Sequence, residues 1–307
     1  MSQYALAVDV GATKVALAKV DRSFEVTSKH EVSVKENDFL WEEIAAVTQE
    51  LFEEADGSFI GVGIGSAGPL HLSTGAISPV NIPVWRGFPI VEKFVELTET
   101  RNVVLHGDAM ALAHAEFRLG AGRGVSNMLG LVVSTGIGGG LVLNDELYIG
   151  ESGNAYFIGH HTINFDGIDC ACGRRGCVET YASGPRMVEI ANSRGWKGEA
   201  SFIALAESAR GGDATALEVI DEGARALAIG IVNSIGSLDI QTVVIGGGVS
   251  QSGDVYWNPL RYHVKNEARF TDFISNIDLR PAQLQRDAGI VGAALGVLDA
   301  HSTEPVF

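Results

Sequence analysis

Residues 129–143 read Leu129-Gly-Leu-Val-Val-Ser134-Thr135-Gly136-Ile-Gly138-Gly-Gly140-Leu-Val-Leu143: an apolar β-rich run, a glycine turn flanked by hydroxyls, and a second apolar run. A hairpin needs only two turn residues, so reversal of the chain does not account for the surplus glycines. Backbone N–H groups and the Ser134 and Thr135 hydroxyls in such a turn can gather around phosphate oxygens, while a flexible hairpin is the bland alternative. The pattern occurs a second time upstream. Ala5–Lys19 reads strand, turn, strand around Asp9-Val-Gly11-Ala-Thr13-Lys14. Two matching turns favour phosphate binding and predict two similar lobes that each open with a hairpin. Asp9 also suits a carboxylate that orients Mg²⁺ through water, since magnesium keeps most of its hydration shell.

Working outward, further glycine clusters follow apolar runs. Gly61-Val-Gly63-Ile-Gly65-Ser-Ala-Gly68 follows and overlaps the run 59–64, and Gly246-Gly247-Gly248 follows 242–245. Glycines at strand ends let a ligand approach the backbone. Helical 3.6-residue spacing appears over 41–54, 109–119, 214–235 and 289–300. Strands alternating with helices give an α/β class. Gly120-Ala-Gly-Arg-Gly124 reads as a hinge, placing an N-terminal lobe at 1–120 and a C-terminal lobe at 121–287.

The 307 residues carry 22 Lys plus Arg against 38 Asp plus Glu, a formal charge of -16 that repels nucleic-acid phosphates and anionic lipid. No apolar run reaches the ~18 residues of a membrane helix, and the N-terminus lacks the basic region of a signal peptide. Three cysteines cannot form a disulfide scaffold, and a cytoplasmic protein is expected.

The strongest local signal is His160 with Cys170, Cys172 and Cys177. One imidazole and three thiolates so spaced make a closed structural zinc set, with buried free thiols as the alternative and His161 as the alternative ligand. Gly63-Ile-Gly-Ser-Ala-Gly68 matches a dinucleotide fingerprint formally, but Pro69-Leu-His71 follows where a helix is required, so a nicotinamide site is rejected. No P-loop pattern occurs. Asp108 ends a buried strand and opens a helix, which suits an N-cap and also the strand end where α/β sheets bind ligands. Glu179, two residues past Cys177, is either a surface carboxylate or a sugar contact.

Together Asp9–Lys14, Gly65-Ser-Ala-Gly68-Pro69, Ser134–Gly140, Gly159-His160, Cys170-Ala-Cys-Gly-Arg-Arg-Gly-Cys-Val-Glu179 and Gly246-Gly-Gly-Val249 resemble the ROK family of sugar kinases and sugar-responsive repressors, in order over nearly the whole chain. The resemblance implies a two-lobed actin-like, ribonuclease-H-type ATPase fold with a cleft between lobes, residues 288–307 returning to the first lobe. It implies ATP-dependent phosphorylation of a hexose, usually at O6, with Mg²⁺ and a structural Zn²⁺, by a homodimer. By position Asp108 matches the general base. Gly68, Asn81, Gly107, Asp108, Phe157, His160 and Glu179 match the sugar side. Asp9, Gly11, Thr13, Lys14, Thr135, Gly136 and Gly138 match the phosphate side, and Gly247 and Gly248 the adenosine loop.

Two positions depart from the family pattern. Phe157 stands where family glucokinases carry Glu, and Gly107 where they carry Asn. Bacterial N-acetylmannosamine kinases of the family also lack that Glu, and the tail Arg286–Leu295 resembles theirs. The expected substrate is therefore N-acetylmannosamine, with a glucokinase or broad hexokinase as the alternative. A non-catalytic sugar sensor, or a regulator lacking a DNA-binding domain, is the rival class. The first core strand is expected to begin near Tyr4, so no helix-turn-helix is expected ahead of it.

Overall fold

The computed structural model describes residues 3–34, 39–54, 57–80, 82–269 and 272–299. The opening elements are β1 (Gln3–Val10), β2 (Lys14–Asp21), β3 (Val26–Ser33), α1 (Leu40–Glu53), β4 (Ser58–Ser66), β5 (Leu70–His71) and β6 (Ala76–Ile77). Then come α2 (Ile90–Thr98), β7 (Val103–Gly107), α3 (Asp108–Leu119), β8 (Met128–Val133), β9 (Ile137–Leu143) and β10 (Glu146–Tyr148). The remainder is α4 (Glu179–Ala182), α5 (Gly184–Ser193), α6 (Phe202–Arg210), α7 (Ala214–Leu238), β11 (Thr242–Gly246), α8 (Asp254–Ala268), β12 (Asp278–Pro281) and α9 (Ala288–Leu298). Contacts divide the chain into two units. The first comprises 1–120, 146–155 and 284–307, and the second 121–145 and 156–283.

In the first unit the sheet order is β3-β2-β1-β4-β7, with β1 antiparallel to β2 and parallel to β4. Strand β1 is buried on both faces, and its alternation separates two kinds of packing. Leu6, Val8 and Val10 pack with Ile44 of α1 and Phe94 of α2. Ala5 and Ala7 instead join Ile290, Ala293 and Ala294 of α9. Small residues on this face let α9 come close. A Cβ at Gly63 would lie 1.8 Å from the Ala293 carbonyl oxygen, and one at Gly292 would lie 1.8 Å from that of Ala111. The glycines of β4 that look like ligand-approach glycines in the sequence therefore admit a helix.

Segment 146–155 joins this unit through Asn154. Its side-chain oxygen accepts from the Leu70 N–H at 2.8 Å and its amide donates to the Leu70 carbonyl at 2.9 Å.

In the second unit β9, β8, β11 and β12 pair in that order, β8 antiparallel to β9 and parallel to β11. The hairpin-plus-parallel-strand plan of β2, β1 and β4 is thus repeated. Helix α7 runs through this core and buries Ile220, Leu227, Ile231 and Ile235. Asp213 caps it, accepting from the Ala216 N–H at 2.8 Å. Among the described residues, no helix is long and apolar enough to cross a membrane.

Candidate active site

The first unit gathers Asp9, near the end of β1, with Asp108, the first residue of α3. Burial, then the nearby Asp108 carboxylate, pushes Asp9 up to about 7, while Lys29 and Lys14 pull the other way. Burial also raises Asp108, opposed by the hydrogen bond that the Ala109 N–H donates to its Oδ1 at 2.7 Å. Asp108 is not the N-cap: Gly107 holds that place and has no side chain to serve it. Two carboxylates at strand ends of one sheet thus hold their protons more tightly than free carboxylates do, as groups that handle protons often do.

Around them, the Gly11 N–H donates to the Lys14 carbonyl at 3.0 Å to close the β1–β2 turn, and Thr13 accepts from Val34 at 3.0 Å. Lys14 opens β2 and pairs with Glu31. Gly68 follows β4, where its bond to Pro69 is cis, and Gly107 ends β7. Asn81 lies outside the described residues. Lys29, which the sequence reading misses, stands on β3 and donates to Asp287 at 2.9 Å. A single lysine in a polar edge strand carries no spacing signal that could have marked it.

The second unit gathers the other hairpin turn, Gly247 and Gly248 after β11, and the knuckle. The turn is shorter than its sequence suggests. The Ser134 N–H donates to the Gly136 carbonyl at 2.9 Å, and β9 starts at Ile137. Gly138 and Gly139 lie in the ladder opposite Val132 and Leu131, and the Tyr156 ring occupies the space a Cβ at 139 would need, 2.5 Å away. After β11, Gly247 adopts φ +91 and its Cα packs on Val133, where a Cβ would lie 2.4 Å from the carbonyl oxygen. The Val249 N–H then donates to that oxygen at 3.0 Å, and the Gly184 N–H at the start of α5 donates to the Ser134 carbonyl at 2.9 Å. The structure thus brings Ser134, Thr135, Gly136, Gly247 and Gly248 together. Glu179 reaches the same turn: its Oε2 accepts from the Ile137 N–H at 2.7 Å.

The ligand atoms of His160, Cys170, Cys172 and Cys177 all lie within 4.8 Å of one another. Cys170 Sγ is 3.5 Å from His160 Nδ1, and Cys172 Sγ is 3.7 Å from Cys177 Sγ. A tetrahedral zinc with Zn–S near 2.3 Å sets its sulfurs about 3.8 Å apart, so these residues fit that ion. His161 is turned elsewhere, its ring meeting Tyr156 edge-on at 5.8 Å. Phe157 is 41% exposed and stacks on His160, with centroids 6.0 Å apart.

Two α/β units, each built on a hairpin with parallel strands beside it, define the two-lobed actin-like (ribonuclease-H-type) ATPase class. Residues 5–300 match the ROK family, and the chain belongs to it. It is 34% identical to a glucokinase of Halalkalibacterium halodurans, over 93% of this chain and 92% of that one. It is 33% identical to an N-acetylmannosamine kinase of Haemophilus influenzae, over 98% and 97%. The crystal structure of a ROK family glucokinase from Streptomyces griseus in complex with glucose and AMPPNP superposes with a TM-score of 0.81 at 29% identity, covering 95% of this chain and 98% of that one.

Proposed function

We propose that this chain, an ATP-dependent sugar kinase of the ROK family, phosphorylates N-acetylmannosamine at O6. The observation that carries the choice of sugar is Phe157, half-exposed and stacked on His160. A carboxylate at that position would accept hydrogen bonds from sugar hydroxyls, each worth about 1.5–3 kcal/mol. A phenyl ring accepts none, and it offers an apolar wall to the methyl of an N-acetyl group, a contact of about 0.8 kcal/mol per buried CH₂. Both effects favour the N-acetyl sugar over glucose. Similarity to a kinase named for that sugar agrees with the choice.

Asp108 takes the proton of the attacking hydroxyl as the oxygen bonds to the γ-phosphorus and ADP leaves. Its raised proton affinity suits a base. Gly68, Gly107, Phe157, His160 and Glu179 are assigned to the sugar. Gly11, Thr13, Lys14, Thr135, Gly136 and Gly138 are assigned to phosphate oxygens, and Gly247 and Gly248 to the adenosine. Asp9 would orient a Mg²⁺ through its water shell, and that ion would supply neutralisation of charge on the polyphosphate.

The knuckle holds one structural Zn²⁺ on His160, Cys170, Cys172 and Cys177. Four protein ligands leave no position for water, so the ion supplies a cross-link rather than a nucleophile. We take the protein to be a cytoplasmic homodimer by resemblance to the family.

Coupled measurement of ADP release with N-acetylmannosamine, glucose, mannose and N-acetylglucosamine tests the reading. The highest kcat/KM should fall on N-acetylmannosamine. A preference for glucose would instead establish the glucokinase activity suggested by the 34% identical relative.

A further inference from the structure

We propose that Glu179 is a positioning residue for the nucleotide as well as a sugar contact: its carboxylate holds the Ile137 peptide and thereby fixes the Ser134–Gly136 turn. The inference rests on the reading that this turn binds phosphates. The sequence offers Glu179 as a surface carboxylate or a sugar contact, yet its Oε2 accepts from the Ile137 N–H at 2.7 Å. The carboxylate lies along the turn itself, since a Cβ at Gly136 would come within 2.8 Å of the same oxygen.

The carbonyl of Ile137 is held from another direction. Gly159 packs on it so closely that a Cβ there would lie 2.2 Å from the oxygen. Ile137 is buried and is the first residue of β9, paired with Val133, the last of β8. Immobilising its peptide therefore fixes where the intervening turn begins and ends. Without Glu179 the Ile137 N–H would lose a partner in a partly buried place, and the turn would shift to find another.

Glu179 itself stands on a rigid base. It opens α4 two residues after Cys177, which is wholly buried. The Thr180 hydroxyl donates to the Cys177 carbonyl at 2.6 Å, and the Val178 N–H to that of His161 at 3.0 Å. Its other oxygen, Oε1, has no hydrogen-bond partner among the described residues and is the one left for a sugar hydroxyl.

The test is the Kd of a non-hydrolysable ATP analogue, measured on the full chain without sugar so that no sugar contact contributes. Glu179→Ala should weaken it roughly tenfold or more, the loss of one charge-assisted hydrogen bond. Glu179→Gln keeps an oxygen that accepts from Ile137 and should stay within about threefold of wild type. Amide exchange at Ile137 should accelerate in the Ala variant and not in the Gln variant. Should Glu179→Ala fail to fold, Glu179→Asp, which withdraws the carboxylate by one methylene, should show the same loss. Thr135→Val serves as the reporter of the turn. Weakening by Thr135→Val but not by a folded Glu179→Ala or Glu179→Asp overturns this inference alone, as does equal weakening by the Gln and Ala variants. Insensitivity to every substitution, or absence of nucleotide binding in wild type, overturns the phosphate-turn reading and this inference with it.

Discussion

Tyr156 and Phe157 are neighbours in sequence and face opposite surroundings. Tyr156, in a left-handed conformation at φ 65, lays its ring against Gly139, whereas Phe157 is 41% exposed over His160. The left-handed residue reverses the chain just before the 157–160 segment. It commits the larger aromatic to the strand and frees the smaller one.

If Phe157 sets sugar choice, Phe157→Glu should shift the kcat/KM ratio towards glucose by roughly tenfold, equivalent to ~1.4 kcal/mol. Gly107→Asn should shift it in the same direction. Its Cβ would meet Met110 at 3.6 Å, an ordinary contact, so the fold should accept it. A ratio unmoved in both folded variants would remove specificity from these positions.

Asp108→Asn keeps the shape of the side chain and removes the base. Turnover should fall by about 10²–10⁴ in a protein that melts no lower than wild type, since the change removes a buried charge. Near-normal kcat in a folded variant would rule out Asp108 as the base.

Asp9 gives a pH signature. Folded, it titrates at about 7; unfolded, near 3.9. The folded chain therefore binds this proton more tightly, and stability falls as pH rises from about 4 to about 7. In magnesium-free buffer Asp9→Asn should melt several degrees above wild type at pH 8, with the gain vanishing below about pH 4. An offset that is the same at both ends of the range would mean that Asp9 titrates normally.

Elemental analysis of protein purified without chelators should find about one zinc per chain, and Cys172→Ser should lower both zinc content and Tm. Metal-free protein with unchanged Tm and activity would contradict the structural assignment.

The close packing of α9 makes a stability prediction. Gly292→Ala places a methyl 1.8 Å from the Ala111 carbonyl oxygen, and backbone cannot yield as a side chain can. The urea midpoint should drop by the equivalent of about 1–3 kcal/mol. An unchanged midpoint would mean that α3 and α9 separate freely.

Much of this was legible in the sequence because it is written in local order. The hairpins around Asp9 and Ser134, the helix over 214–235 and the knuckle all follow from spacing between near neighbours. Gly63 misled because a glycine that admits a helix reads like one that admits a ligand, and the helix in question lies more than two hundred residues downstream. Gly139 misled similarly, being a strand residue emptied for the Tyr156 ring. The engagement of Glu179 with Ile137 was hidden because the partner is a backbone N–H, which every residue but proline possesses. No residue type announces it.

The return of α9 to the first unit orders events during synthesis. Residues 5–18 of β1 and β2 emerge early, but the helix that covers their alanine face is made only after residue 283, the last of the second unit. At about 5–20 residues per second, that face waits many seconds for its cover. A nascent chain should thus complete its later unit before its earlier one, and the exposed alanine-lined sheet is where a ribosome-associated chaperone would be expected to hold on.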